Sequence, residues 1–275
     1  MKFGLGKVMA GLMLATGMLG GMATAHAQDA ALPPGAVFTA IHNIKVQDDK
    51  ADWVELDNGV VSTFWYGHEF DVGGQHFYTG FVWNSPERDP QEDEGFPAPD
   101  AQVKLAQATF LLTNPGQTPA YTFYSVERKT GAFGAFERPE NADASRKALE
   151  HHLPDNRMLL AVPTATFENG ATVKGYAMFL FTLKKEYGPK EWLWSYVGQV
   201  QTGFENSAAC DEGAVMPCID SDGELSFVDV KDSLPQVNVK ASGTTIEGPG
   251  KTRRLGAADD TKYVYDAGAM QYVAK

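Results

Sequence analysis

Glu69, Asp71, His76 and Tyr78 fall within ten residues of one another, in the stretch "FWYGHEFDVGGQHFYTGFVW", Phe64–Trp83. A carboxylate beside an imidazole raises its pKa and orients its ring, and paired carboxylates can divide acid and base duties. Two acids at i and i+2 of a strand stand about 6–7 Å apart at Cα, within reach of the separation that inverting glycoside hydrolysis uses. Gly73-Gly74 sets this geometry. Read as a two-residue hairpin turn, it places Asp71 opposite His76 and Glu69 opposite Tyr78. Alternation then sorts Phe64, Tyr66, His68, Phe70, Val72, Phe77, Thr79, Phe81 and Trp83 onto an apolar face. Trp65, Glu69, Asp71, His76 and Tyr78 fall on the polar one. A three-residue loop would bring both histidines to one face and mix acids with Phe77, Phe81 and Trp83. Register follows the cleaner burial pattern, so the two-residue turn is preferred. It yields Glu69, Asp71 and His76 as candidate catalytic groups and Trp65 and Tyr78 as candidate sugar-stacking rings. The same cross-strand pairs also serve as ordinary stabilisers of a sheet, and His68 reads as a hydrogen-bonded histidine of the core or its edge.

Three further stretches carry chemistry. "ERDPQEDEGFPAPD", Glu87–Asp100, holds six acids, one arginine and three prolines. Charge and proline both oppose strand formation. The segment is a surface loop, and Glu92, Asp93 and Glu94 are its candidate contacts to a basic partner. Asp220-Ser221-Asp222-Gly223 resembles the start of a calcium loop, with Glu224 as a further oxygen donor. The twelfth position that such a loop needs is Lys231, not a carboxylate. Asp220, Asp222 and Glu224 are therefore the metal candidates, calcium is the one cofactor considered, and a D-G turn before Leu225 is the plainer reading. Cys210 and Cys218 are the two cysteines of the chain. One disulfide is the simplest use of two cysteines in an exported protein. Their seven-residue spacing with no histidine nearby is poor for zinc, and it lacks the C-x-x-C form of a redox pair. G-x-S-x-G, P-loop, H-E-x-x-H and G-x-G-x-x-G motifs are all missing.

The elements that must hold these groups are short and β-like. The chain has 275 residues. It opens with Lys2 and Lys7, a glycine-spaced apolar run and Ala25-His26-Ala27, the pattern of a secretory signal peptide over residues 1–27. No later run approaches the roughly 20 apolar residues of a spanning helix. The formal charge is −12, and loss of Lys2 and Lys7 with the signal takes it to −14. Such an excess repels nucleic acid and admits a cationic partner. Residues 28–35 read as a flexible lead-in. Runs such as Val37–Val46, Gly59–Val72, Gln75–Trp83, Ala108–Thr113, Met158–Phe167, Tyr176–Lys184 and Trp192–Thr202 are rich in Val, Thr and aromatic residues and bounded by turn signals. Asn58-Gly59 and Asn169-Gly170 support antiparallel pairing. One helix is expected, from the Asn141 cap through Ala142–Leu153 to the stop at Pro154, with His151 and His152 in its last turn. It would join two β-rich halves, 36–138 and 155–275, as one domain or two.

"WLWSYVGQVQTGFENSAAC" (Trp192–Cys210), the "DGELSFVDVKDSLPQVNV" that follows and the "YVYD…QYV" ending resemble exported bacterial proteins with FG-GAP-like, propeller-type β repeats. Some proteins of that kind inhibit lysozyme-type muramidases in the periplasm. The resemblance covers the C-terminal third. The full Asp-x-Asp-Gly-Asp-Gly loop of such repeats is missing, and no functional residue is carried over.

The expectation is a mainly β protein, an antiparallel sandwich or propeller-like body with one short α-helix and one disulfide. Its expected role is a periplasmic or secreted binding protein, with inhibition of, or immunity to, a cationic cell-wall-degrading enzyme as the specific form. The alternative is a hydrolase or glycan-binding module for cell-wall carbohydrate.

Overall fold

A computed structural model of the chain describes residues 32–87, 96–183, 192–231 and 233–275. The expected signal segment and Glu92, Asp93 and Glu94 lie outside them. The first sheet is an antiparallel meander of five strands in the order β1 (Trp53–Glu55), β2 (Val61–Val72), β3 (Gln75–Asn84), β4 (Val103–Leu112) and β5 (Tyr121–Phe133). The second sheet runs β6 (Leu149–Leu153), β7 (Arg157–Glu168), β8 (Ala171–Thr182) and β9 (Trp194–Glu205). It continues through β10 (Asp220–Val228), β11 (Gln236–Gly248), β13 (Thr261–Asp266) and β14 (Gln271–Ala274), with β12 (Lys251–Arg254) paired to β11.

β7 is a near-continuous apolar run because both its faces are covered. Met158, Leu160 and Val162 meet Trp65, Phe70, Phe77, Phe81, Leu105 and Phe133 of the first sheet in the central core. Leu159 and Ala161 face the other way, into a second core with Leu225, Val237, Val239 and Tyr272. That second core exists because β10 pairs with β9 only at Asp220 and Ser221. Beyond that contact the sheet turns over, and β10, β11, β13 and β14 fold back across the outer face of β7–β9. The β strata are thus stacked face to face.

Trp194 is completely buried at the centre. Its indole nitrogen donates between the Thr79 and Thr109 hydroxyls, 3.1 and 3.3 Å away. Beside it, Glu127 accepts from the Leu193 and Trp194 backbone N–H groups and from the Gln107 amide. A carboxylate so held satisfies the backbone at the start of β9 that would otherwise be buried unpaired.

Two helix expectations are corrected. The segment expected as lead-in and strand forms α1 (Pro34–His42), which starts on a proline and ends at Asn43 in the left-handed region, φ 56°. Val37, Phe38 and Ile41 are fully buried against the outer face of the first sheet. Gly80 is needed beneath them, since a Cβ there would collide with Val37. The helix expected over 141–153 does not form. Asp143 accepts from the Ser145 backbone N–H at 3.0 Å in a turn, and Leu149–Leu153 is strand β6. Arg146 replaces the helical hydrogen bonds. Its guanidinium reaches the Thr164 and Gly175 carbonyls at 2.6 and 3.1 Å, pairs with Asp143 at 2.7 Å and lies over the Tyr176 ring. The two halves therefore meet through a strapped turn and a common core, not a helix.

The second helix, α2 (Ser207–Cys210), is four residues long and leads into the disulfide Cys210–Cys218, whose Cα atoms lie 5.2 Å apart. No helix among the described residues is long and apolar enough to cross a membrane.

Candidate functional site

The β2–β3 hairpin has the register that Gly73-Gly74 implies: Asp71 faces His76 and Glu69 faces Tyr78. His76 Nδ1 lies 3.0 Å from the Asp71 carboxylate. Glu69 is held differently, accepting from the Tyr121 hydroxyl at 3.3 Å. Two turns of phrase in the sequence mislead. A bulge between Phe64 and Tyr66 shifts the pairing by one residue and rotates Trp65 into the central core, where it is 9% exposed. Tyr78 does stay on the predicted face, but α1 and its surroundings cover that face and leave the residue 3% exposed. Burial, then the Glu69 charge, raise the Tyr78 pKa well above the phenol range. Neither ring is open to a sugar.

The calcium candidates are on a strand, not a loop. Asp220, Asp222 and Glu224 alternate along the exposed side of β10, and Asp220 pairs with Lys174 at 2.9 Å. Among the described residues no group of three or more acids, histidines or cysteines could hold a metal. His151 and His152 point to opposite sides of β6. His151 reaches Asp229 at 2.7 Å and stacks on Phe227, while His152 and His68 both approach Glu150, at 3.3 and 2.7 Å.

The strongest chemical environment is one that no motif announced. After β5 the chain turns sharply at Gly134, φ 80°, where a Cβ would strike the Arg138 carbonyl. Phe136 and Glu137 both take the left-handed conformation, at φ 51° and 55°. Glu137 N–H then donates to the Ala101 carbonyl at 2.7 Å, and Ala165 N–H reaches back to the Asn141 carbonyl at 2.9 Å. Between these ties sits Glu140. Its own carbonyl accepts from the Trp65 indole at 2.7 Å. Its side chain is carried inward, the residue 8% exposed, and Oε2 has no hydrogen-bond partner among the described residues. Burial raises the carboxyl pKa to about 7. Tyr196 beside it is pushed above the phenol range by burial and by the Glu140 charge.

Glu140, Gly134 and Gln199 border two adjoining depressions. One, of about 470 Å³, is lined by Gln102, Gly131, Tyr196, Gly198, Gln271 and Tyr272 among others. The other is a groove of about 840 Å³ whose walls carry Phe96, Pro97, Phe136, Arg138, Phe167 and Glu168. Its three phenylalanines are 103, 37 and 62% exposed, an apolar surface that a monomer ordinarily covers. Phe96 and Pro97, which belong to the Glu87–Asp100 stretch singled out by charge, line this groove. A buried acid with a raised pKa in a concavity is where binding or proton transfer concentrates. Its only sequence signal is Gly134 with Pro139 in "FGAFERPEN", a turn signal without chemistry. No known protein family, curated protein or solved structure matches the chain.

Proposed function

We propose that the protein is an exported binding protein that captures a cationic partner, with a cell-wall-degrading enzyme as its target class. The reading is carried by one observation: the acidic Glu87–Asp100 segment contains Phe96 and Pro97, which line the groove together with exposed Phe136 and Phe167. Charge on the loop draws a basic surface in and sets its orientation. The aromatic groove then receives an apolar side chain of the partner, the kind of anchor that holds most of the energy of an interface. The formal charge of −12 favours the same class of partner. A disulfide at Cys210–Cys218 suits a periplasmic or secreted location. Enzymatic use of Glu69 and Asp71 gains no support, because Glu69 is engaged by Tyr121 and Asp71 stands 76% exposed at the hairpin tip.

The test is inhibition of a cationic muramidase, followed by clearing of a cell-wall suspension at low and at high salt. Inhibition is expected at low salt and should weaken as salt screens the charges. The triple variant Glu92→Gln, Asp93→Asn, Glu94→Gln should slow association, and Phe136→Ser with Phe167→Ser should speed dissociation. Undiminished clearing at low salt, with no complex on a sizing column, would overturn the proposal.

A further inference from the structure

We propose that the smaller depression, bounded by Gln102, Glu140, Tyr196, Gln199 and Gln271, is a binding site for a neutral saccharide, one of whose hydroxyl groups engages the unpartnered oxygen of Glu140. The site adjoins the phenylalanine groove and shares Gly134, Glu140 and Gln199 with it, but its ligand is a small molecule, so saccharide binding is measured apart from partner capture.

Size comes first. A volume of about 470 Å³ lies within the roughly 300–1,000 Å³ of small-molecule sites. Chemistry follows from the lining. Three glutamines present donors and acceptors together, and a sugar hydroxyl, which both donates and accepts, can use either end of each amide. Among the described residues no lysine, arginine or histidine lines the depression, and Glu140 is the one acid that does. An anionic ligand would therefore find no counter-charge. Gly131, Gly134 and Gly198 form part of the wall. Gly198 has φ 103°, a conformation that a side chain would strain. At each of the three a Cβ would meet the protein itself, Tyr196 at Gly131, the Arg138 carbonyl at Gly134 and Gln271 at Gly198, so glycine lets the walls of the depression pack closely.

Glu140 gives the site its direction. A buried polar atom without a partner costs free energy, and natural structures seldom leave one without a use. Oε2 is such an atom, in a residue that lines the depression and is 8% exposed. A ligand hydroxyl there completes its hydrogen bonding. Because burial lifts the Glu140 pKa to about 7, the carboxyl is neutral in mild acid and can donate as well as accept. A neutral acid beside amides is suited to a polyol. An ionised one would select an ammonium group instead, so the pH dependence of binding separates the two ligand classes.

The experiment is titration calorimetry of the purified protein with neutral gluco-, manno-, galacto- and N-acetylglucosamine oligosaccharides at pH 5.5 and pH 8.5. At least one series should bind at pH 5.5 and weaken tenfold or more at pH 8.5. Glu140→Gln, neutral at both values, should bind equally at both. Gln271→Ala, on an exposed strand residue, should weaken binding at least fivefold with an unchanged melting temperature, which separates loss of the site from loss of the fold. No binding by any series at pH 5.5 would overturn the proposal. So would affinity that rises with pH, the mark of a cationic ligand, or binding indifferent to both substitutions.

Discussion

The Trp65 indole nitrogen donates to the Glu140 backbone carbonyl across 2.7 Å, joining residues 75 apart in the chain. One hydrogen bond thus ties the bulged residue of β2 to the turn that carries the buried carboxyl. Trp65→Phe keeps an aromatic ring in the core and removes the donor. A buried carbonyl left unpaired costs about 1–3 kcal/mol, and a chain of this size melts roughly 2–4 °C lower per kcal/mol lost. Thermal unfolding measures it. An unchanged melting temperature would mean that the carbonyl has found another donor.

Glu140 makes stability depend on pH in a definite direction. Its carboxyl is raised from 4.5 to about 7 in the folded protein. Below the ordinary value both folded and unfolded chains carry the proton, and the group costs nothing. Above it the unfolded chain ionises first, so stability falls as pH rises through the interval and levels off once the folded-state pKa is passed. At about 1.4 kcal/mol per pKa unit, the loss is on the order of 3 kcal/mol. Glu140→Gln should remove this slope, leaving the variant more stable than the parent at pH 8. Urea unfolding at pH 5 and pH 8 reads the difference, and parallel curves for the two proteins would refute it.

Glu150 acts in the opposite sense. The hydrogen bond from His68 holds its carboxyl below the usual glutamate range. The stabilisation is present above that range and is lost as pH falls through the depressed value. Glu150→Gln should cost about 1 kcal/mol near pH 6, the upper end for a partly exposed pair. The gap between parent and variant should close on acidification. Unfolding midpoints at pH 6 and pH 3 test it, and a constant gap would assign the effect to shape instead of charge.

The sequence was most legible where local geometry decides. Gly73-Gly74 fixed the pairing of Asp71 with His76 because a tight turn leaves few registers. Six residues before Asp71 the reading fails at Trp65, since a bulge is favoured there by partners that local alternation does not contain: Phe133, Phe179 and the Glu140 carbonyl. Val37, Phe38 and Ile41 had helical spacing and a proline at the start, yet their β-branched and aromatic character reads as strand. Packing on Gly80 decided the matter. Tyr78 was placed on the right face and given the wrong exposure, because sheet alternation says nothing of what covers the second face. Glu140 left no trace, since its burial depends on strands on both sides of the turn that carries it.

Arg146 tests the corrected segment most sharply. On a solvated helix its replacement by lysine would change stability little, as exposed substitutions usually do. In the strapped turn the guanidinium reaches two carbonyls and the Asp143 carboxylate at once and lies over Tyr176. A lysine ammonium keeps the charge but lacks the planar fork, so it cannot hold that set together. At least one buried carbonyl loses its donor, and the expected cost for Arg146→Lys is about 2–3 kcal/mol. Asp143→Asn should couple to it in a double-mutant cycle, because the two side chains share one hydrogen-bonded cluster. Additive losses from the two substitutions would separate Arg146 from Asp143 and leave the two carbonyls and the Tyr176 ring as the partners that matter.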